Sequence, residues 1–245
     1  AGLTFPGIYA NVATAHMNKY ETNLDHLLKV AIKNHDNGAL NPKAQFRESI
    51  KAVMERRIGR ARERGELVPD WDSPLAFLGD DRVNPWIAWP LRLYDCSPIT
   101  DGASCLLLVS SDLATNFTDK PVHILGTGQA SGRPLHQATE LTSLSAARIA
   151  GAEAYEMAGL TPQQIQVAEV HDCFTIAEIV ATEDLGFFRP GEGSRLGRAA
   201  IRHPVGRSAA GSDPSGVPAQ DGCHYGRARS RQDNPGPQHL GNLFR

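Results

Sequence analysis

Long apolar runs are what this sequence most clearly lacks. Nowhere does it approach the roughly 18 to 20 consecutive apolar residues that a membrane helix needs, which excludes a bilayer span. Cysteine is scarce too. Cys96, Cys105, Cys173 and Cys223 are the only 4 in 245 residues, with no CxxC pair and no zinc spacing. That pattern excludes a disulfide framework, gives no metal cluster, and reads as reduced thiols in a cytoplasmic setting. Neither a signal-peptide pattern nor a basic targeting segment opens the chain, and a sequence beginning at Ala1 is expected to be a fragment or a trimmed product. What is present is a 41% hydrophobic fraction, enough to bury a sizeable core and too much for a wholly disordered chain. A length of 245 residues is long for one small domain and short for two full ones.

The net charge of −2 averages two unlike regions. Residues 1–194 hold 17 Lys+Arg against 24 Asp+Glu, whereas residues 195–245 hold 8 Arg against 3 Asp, with no Lys and no Glu. The latter stretch also carries 8 Gly and 5 Pro, the composition expected of a poorly ordered tail. Arginines in such a tail can neutralise phosphates. With no aromatic interleaving and no nucleic-acid fold upstream, no nucleic-acid partner is expected.

The first third reads as helices. Pro6 suits the first turn of a helix running to about Tyr20, with Ile8, Val12 and Ala15 on one face. Thr22 is the expected N-cap of a second helix with Leu24, Leu27, Leu28 and Ala31 as its buried stripe, ended by Asn37-Gly38. A third helix is expected over roughly Glu48 to Arg64, with Arg56, Arg57, Arg60, Arg62 and Arg64 among its polar positions. Gly65 to Pro90, rich in Pro, Asp and Trp, looks like a long packed excursion.

From there the pattern changes. Ser104 to Ser110, Val122 to Thr127 and Val167 to Val170 are short apolar runs expected as buried strands. Ser145 to Ala158 is an Ala-rich helix closed by Gly159, and Thr161-Pro162-Gln163-Gln164 has the letters of a helix start. A last helix is expected from about Thr175 to Leu185, with Ile176, Ile179 and Val180 inward. Strands alternating with helices point to an α/β layered domain.

His171 is the most informative residue for chemistry. It falls where a strand ends and a helix begins, the usual place for reactive groups in α/β folds. A neutral imidazole there can hold a substrate carbonyl oxygen or a water, or can simply satisfy the backbone. Cys173, two residues on, reads better as a small packing residue than as a nucleophile, and Cys96 and Cys105 as core packing. Gly126-x-Gly128 lacks a full dinucleotide fingerprint, so no nicotinamide cofactor is expected. The arginine-bearing helix reads as a solvated face, with a CoA phosphate as the alternative.

Four pieces together resemble the thiolase superfamily, in its sterol-carrier-protein-x-type branch of acetyl-CoA acetyltransferases and lipid-transfer proteins. They are AGLTFPGIYA at the start, VAIKNHDNGALNPKAQF at 30–46, WPLRLYDCSPITDGASCLLLVS at 89–110 and VAEVHDCFTIAEIVATEDLGFFRPGEG at 167–193. The resemblance covers about residues 1–195. It implies a thiolase-like layered αβαβα fold, here incomplete. Residues 1–95 would be the end of the N-terminal half with the CoA-binding loop region, 96–194 the C-terminal domain, and 195–245 an atypical tail.

The resemblance implies acyl transfer on a coenzyme A thioester in lipid or sterol side-chain metabolism, without a metal. It implies a homodimer or hetero-oligomer, or an OB-fold partner. His171 of the HDCF piece would stand in the oxyanion hole, where other thiolases place an asparagine. The activating base would be His203, whose Arg202-His203-Pro204-Val205-Gly206 has the right letters but comes early; His224 is the second candidate. None of the four cysteines lies in a matching nucleophile motif, so this chain is expected to be inactive or weakly active in thiolysis. Two alternatives follow: a thiolase-like retro-aldol lyase acting on CoA-linked sterol side chains, which needs a base and a carbonyl-polarising group rather than a thiolate, and a non-catalytic partner subunit.

Overall fold

The computed structural model of the chain describes residues 3–133 and 137–194, all within one compact unit, Ala1–Gly206. Helix α1, Phe5–Tyr20, starts where Thr4 caps it, the Thr4 hydroxyl accepting the Gly7 N–H at 3.3 Å, and Pro6 sits in its first turn as expected. Helix α2, Leu24–Ala39, is capped by Asn23 rather than by Thr22. The reason is local: the Thr22 hydroxyl is taken by His16 Nδ1 at 2.7 Å, while Asn23 and His26 exchange a reciprocal pair of capping hydrogen bonds. Asn37 and Gly38 remain inside α2 instead of ending it.

Helix α3, Ile50–Glu63, begins at Ser49, whose side chain accepts the Ala52 N–H at 3.1 Å. Its four arginines, Arg56, Arg57, Arg60 and Arg62, and Arg64 at its C-cap are exposed. The long excursion after it is indeed packed. It contains helix α4, Pro74–Gly79, capped by Ser73, and a two-stranded antiparallel hairpin of β1, Trp86–Ala88, and β2, Leu91–Arg92. Helix α5, Ser145–Ala158, closes on Gly159 at φ 65°, the left-handed conformation that favours glycine. Residues Thr161 to Gln164 form only a single 3-10 turn. Helix α6, Thr175–Asp184, buries Ile176, Ile179 and Val180.

Two apolar clusters hold these elements, and α2 serves both. Its Leu27 and Val30 join Val12 and Ala13 of α1, Leu91, Phe174, and the Ile176, Ile179 and Val180 face of α6. Its Leu28 and Ala31, one position around the helix, join Ile50 and Met54 of α3, Phe77 and Leu78 of α4, and Val83. Adjacent i, i+3 pairs thus make two stripes on one helix, which places α2 between α6 and the α3–α4 pair.

The three segments expected as strands do not form strands. Residues 104–110, 122–127 and 167–170 have no regular secondary structure and exchange no backbone hydrogen bonds with one another among the described residues. Their apolar side chains stand open to solvent, Leu106 at 86% and Val122 at 94% exposure. A strand exists only against a neighbouring strand, and burial on both faces needs a layer on each side. Neither is supplied among the described residues. The described architecture is therefore helix-rich with one small sheet. Cys105, expected in the core, is exposed for the same reason. The glycines of Gly126-x-Gly128 do have a steric role: a Cβ at either would collide with backbone carbonyl oxygens of α5, at Ala154 and Ala150 respectively.

An exposed contact joins α1 to the loop before α5. Lys19 Nζ donates to Glu140 Oε2 at 2.6 Å, and this hydrogen bond, followed by those from Thr142, draws the Glu140 carboxyl down from 4.5 to about 2. A carboxylate whose pKa is lower in the folded chain stabilises it above its ordinary value, and that contribution fades as pH falls through the folded value. Denaturation of Glu140→Gln beside the natural chain should therefore show a small deficit above pH 4.5 that closes as pH approaches 2. A deficit that grows on acidification would contradict this.

Candidate functional site

The segment 171–175 is held from two sides. On one side Cys96 pairs with Phe174 in an isolated antiparallel bridge, and the Ser97 N–H donates to the Cys173 carbonyl at 3.0 Å. Thr175, the first residue of α6, donates its hydroxyl to buried Asp95 at 2.8 Å, while Asp95 also accepts the Arg92 N–H at 2.8 Å. Burial pushes the Asp95 carboxyl up, and those two donors offset part of that push. On the other side Asn34 of α2 donates to Asp172 at 2.7 Å and to Glu178 at 2.9 Å, and Lys33 pairs with Glu178 at 2.8 Å.

His171 itself is exposed at the head of this clamped segment. Its imidazole stands at the junction leading into α6, as the sequence places it, and offers one donor and one acceptor when neutral. His203, the expected base, lies outside the described residues, as do His224 and Cys223.

The neighbouring sulfur chemistry is quiet. Cys96 is half-buried, its thiol donates to the Arg92 carbonyl at 3.3 Å, and burial, aided by the Asp95 charge, pushes it up to about 11. It is a thiol, not a thiolate, at neutral pH. Cys173 packs with Tyr9 against the first cluster; burial first, and then the neighbouring Cys173, pushes the Tyr9 hydroxyl up to about 12, and the Tyr9 ring stacks on Phe174 at 4.6 Å between centroids. The packing reading holds for both. Among the described residues no group of three or more His, Cys, Asp or Glu side chains is arranged to hold a metal, and no helix is long and apolar enough to cross a membrane.

Sequence reasoning missed Asn34, Lys33 and Glu178. The available signal was positional: Asn34 lies one turn beyond Val30 and Ala31, the last buried residues of the two stripes of α2, so a polar side chain there needs a partner.

Residues 128–213 match the family model described as thiolase C-terminal domain-like. The chain is 40% identical over 195 residues to an acetyl-CoA acetyltransferase of Methanothermobacter thermautotrophicus, covering 79% of this chain and 44% of that protein. It is 28% identical over 199 residues to sterol carrier protein 2 of Bos taurus, covering 78% of this chain and 32% of that one. The solved structure of an Ltp2-ChsH2(DUF35) aldolase superposes with a TM-score of 0.63 at 27% identity, over 79% of this chain and 46% of that chain. The resemblance to the thiolase superfamily is thus borne out, and the chain spans less than half the length of each of these relatives.

Proposed function

We propose that this thiolase-like chain handles acyl-CoA thioesters in acyl transfer of the lipid or sterol side-chain type, with His171 holding the thioester carbonyl oxygen. The observation that carries the reading is the clamping of residues 172–175 from both sides, which leaves the His171 imidazole exposed at the fixed entry to α6. Attack on a thioester carbonyl drives negative charge onto its oxygen. A fixed N–H donor there stabilises that state more than the ground state, which is the condition for catalysis. His203 is proposed as the base, the arginines of α3 as contacts for CoA phosphate, and no metal is invoked. Residues 1–95 and 96–194 are proposed as the back of one thiolase half and the body of the other. In the complete layered αβαβα fold, residues 104–110, 122–127 and 167–170 would be paired strands. A second copy, a different thiolase-like subunit or an OB-fold partner would complete the assembly in the cytoplasm.

The expected result is a selective loss on Ala substitution. In calorimetric titrations His171→Ala should bind acetyl-CoA about five- to tenfold more weakly, one hydrogen bond being worth about 1 kcal/mol net. Coenzyme A lacking the acyl group should bind both chains alike. Equal acetyl-CoA affinity in the two chains would overturn the role of His171.

A specific observation also favours a retro-aldol reading. Cys96 is held as a thiol, Cys173 packs against the first cluster, and the solved structure that superposes is named an aldolase. In that chemistry His171 would polarise the same carbonyl while a base removes the proton of a β-hydroxyl, and no thiolate is needed. Turnover of a β-hydroxyacyl-CoA without added coenzyme A would select it over thiolysis.

A further inference from the structure

We infer that Asn34 is a positioning residue for His171, acting through Asp172. The carboxamide of Asn34 is fully used. Its two N–H groups go to Asp172 Oδ2 at 2.7 Å and Glu178 Oε2 at 2.9 Å, and its oxygen accepts from Lys33 Nζ. Lys33 in turn reaches Glu178 Oε1 at 2.8 Å. Two carboxylates are thereby held beside one cation with a neutral amide between them. Only a side chain with two donors and one acceptor satisfies all three neighbours. Asp172 and Glu178 lie 138 and 144 residues away in sequence, so Asn34 fastens α2 to both ends of the turn that enters α6.

The geometry of that turn shows why the contact bears on His171. Residues 173, 174 and 175 are already fixed from the far side through Ser97, Cys96 and Asp95. Asp172 has no such tie among the described residues; its contact is Asn34. Removing it releases the peptide unit between His171 and the clamped residues, and the imidazole loses the reference that sets its direction. Asn34 bonds to Asp172 rather than to His171, so it acts by placement. The inference rests on reading His171 as the carbonyl-holding group, but its test needs no ligand.

The isosteric change Asn34→Asp keeps size and replaces two donors by acceptors, so that three carboxylates face Lys33 alone. Hydrogen exchange and imidazole NMR on the free chain would read the outcome. In N34D the Ser97 amide, which donates to the Cys173 carbonyl, should exchange about tenfold faster, and the His171 ring resonances should shift and broaden. Those of His16, which pairs with Glu183 at the other end of α6, should stay in place. Adding Asp172→Asn to N34D restores one donor and one acceptor across the contact with reversed polarity, and should return exchange and the His171 signals toward their original values. A merely structural role would spread the change evenly along α2 and α6 and would not be reversed by the second substitution; that result, or unchanged His171 signals in N34D, overturns the inference. Should acetyl-CoA bind the natural chain and His171→Ala alike while the N34D effect persists and is reversed, the functional reading fails and the placement by Asn34 stands.

Discussion

Replacing His16 by leucine is expected to cost about 3–5 kcal/mol of stability, the range for breaking a buried polar pair by removing one member. His16 is fully buried, with Nδ1 at 2.7 Å from the Thr22 hydroxyl and Nε2 at 3.1 Å from Glu183 Oε2. Glu183 is almost as deep, and its other oxygen accepts the Gly193 N–H at 3.0 Å. Without the imidazole the carboxylate keeps one partner in a site that water does not reach, and Thr22 loses its own. Against a total of about 5–15 kcal/mol for a typical domain, a loss of that size moves a urea midpoint far. The double variant H16L/E183L tests the cause. Removing both members of a buried pair costs less than leaving one, so its loss should be smaller than the two single losses added. Strict additivity would show that His16 acts through packing alone.

Phe77→Ala should cost a comparable ~3–5 kcal/mol, for a different reason. Phe77 is fully buried in the α2–α3–α4 cluster, meets Trp71 edge-on at 4.9 Å between centroids, and lies under the Arg57 guanidinium at 5.6 Å. Truncation removes the transfer energy of a ring and leaves a cavity that the six-residue α4 cannot collapse into without losing its cap. Phe77→Leu, which keeps most of the volume, should lose under about 1.5 kcal/mol. Trp71 reports the event directly, since its indole donates to Asp80 at 2.9 Å and its emission should redden as the cluster loosens. Equal losses for both variants would mean that the site repacks freely.

Helices were legible because their signals are local. Pro6 in the first turn of α1, the stripes on α2 and Gly159 closing α5 each follow from residues within one or two turns. The Thr22 cap failed on a contact with His16, six residues back, that no capping rule contains. The strands failed for a broader reason. An apolar run such as Leu106 to Val109 states that a segment wants burial, not that a partner edge is supplied, and here the described residues supply none. At the site, His171 stood out through its junction. Its supports did not, because Asn34–Asp172 and Asp95–Thr175 join residues 138 and 80 positions apart. Asn34 lies in the piece at 30–46 and Asp172 in the HDCF piece; that the two touch is a fact of the fold.

The grip of His171 on a thioester carbonyl can be read on that carbonyl itself. Acetyl-CoA labelled with carbon-13 at the thioester carbon should shift downfield when bound to the natural chain, as an N–H donor polarises the bond. Bound to His171→Ala it should keep the frequency it has in water. The same bound-state shift in both chains would mean that His171 does not hold the carbonyl.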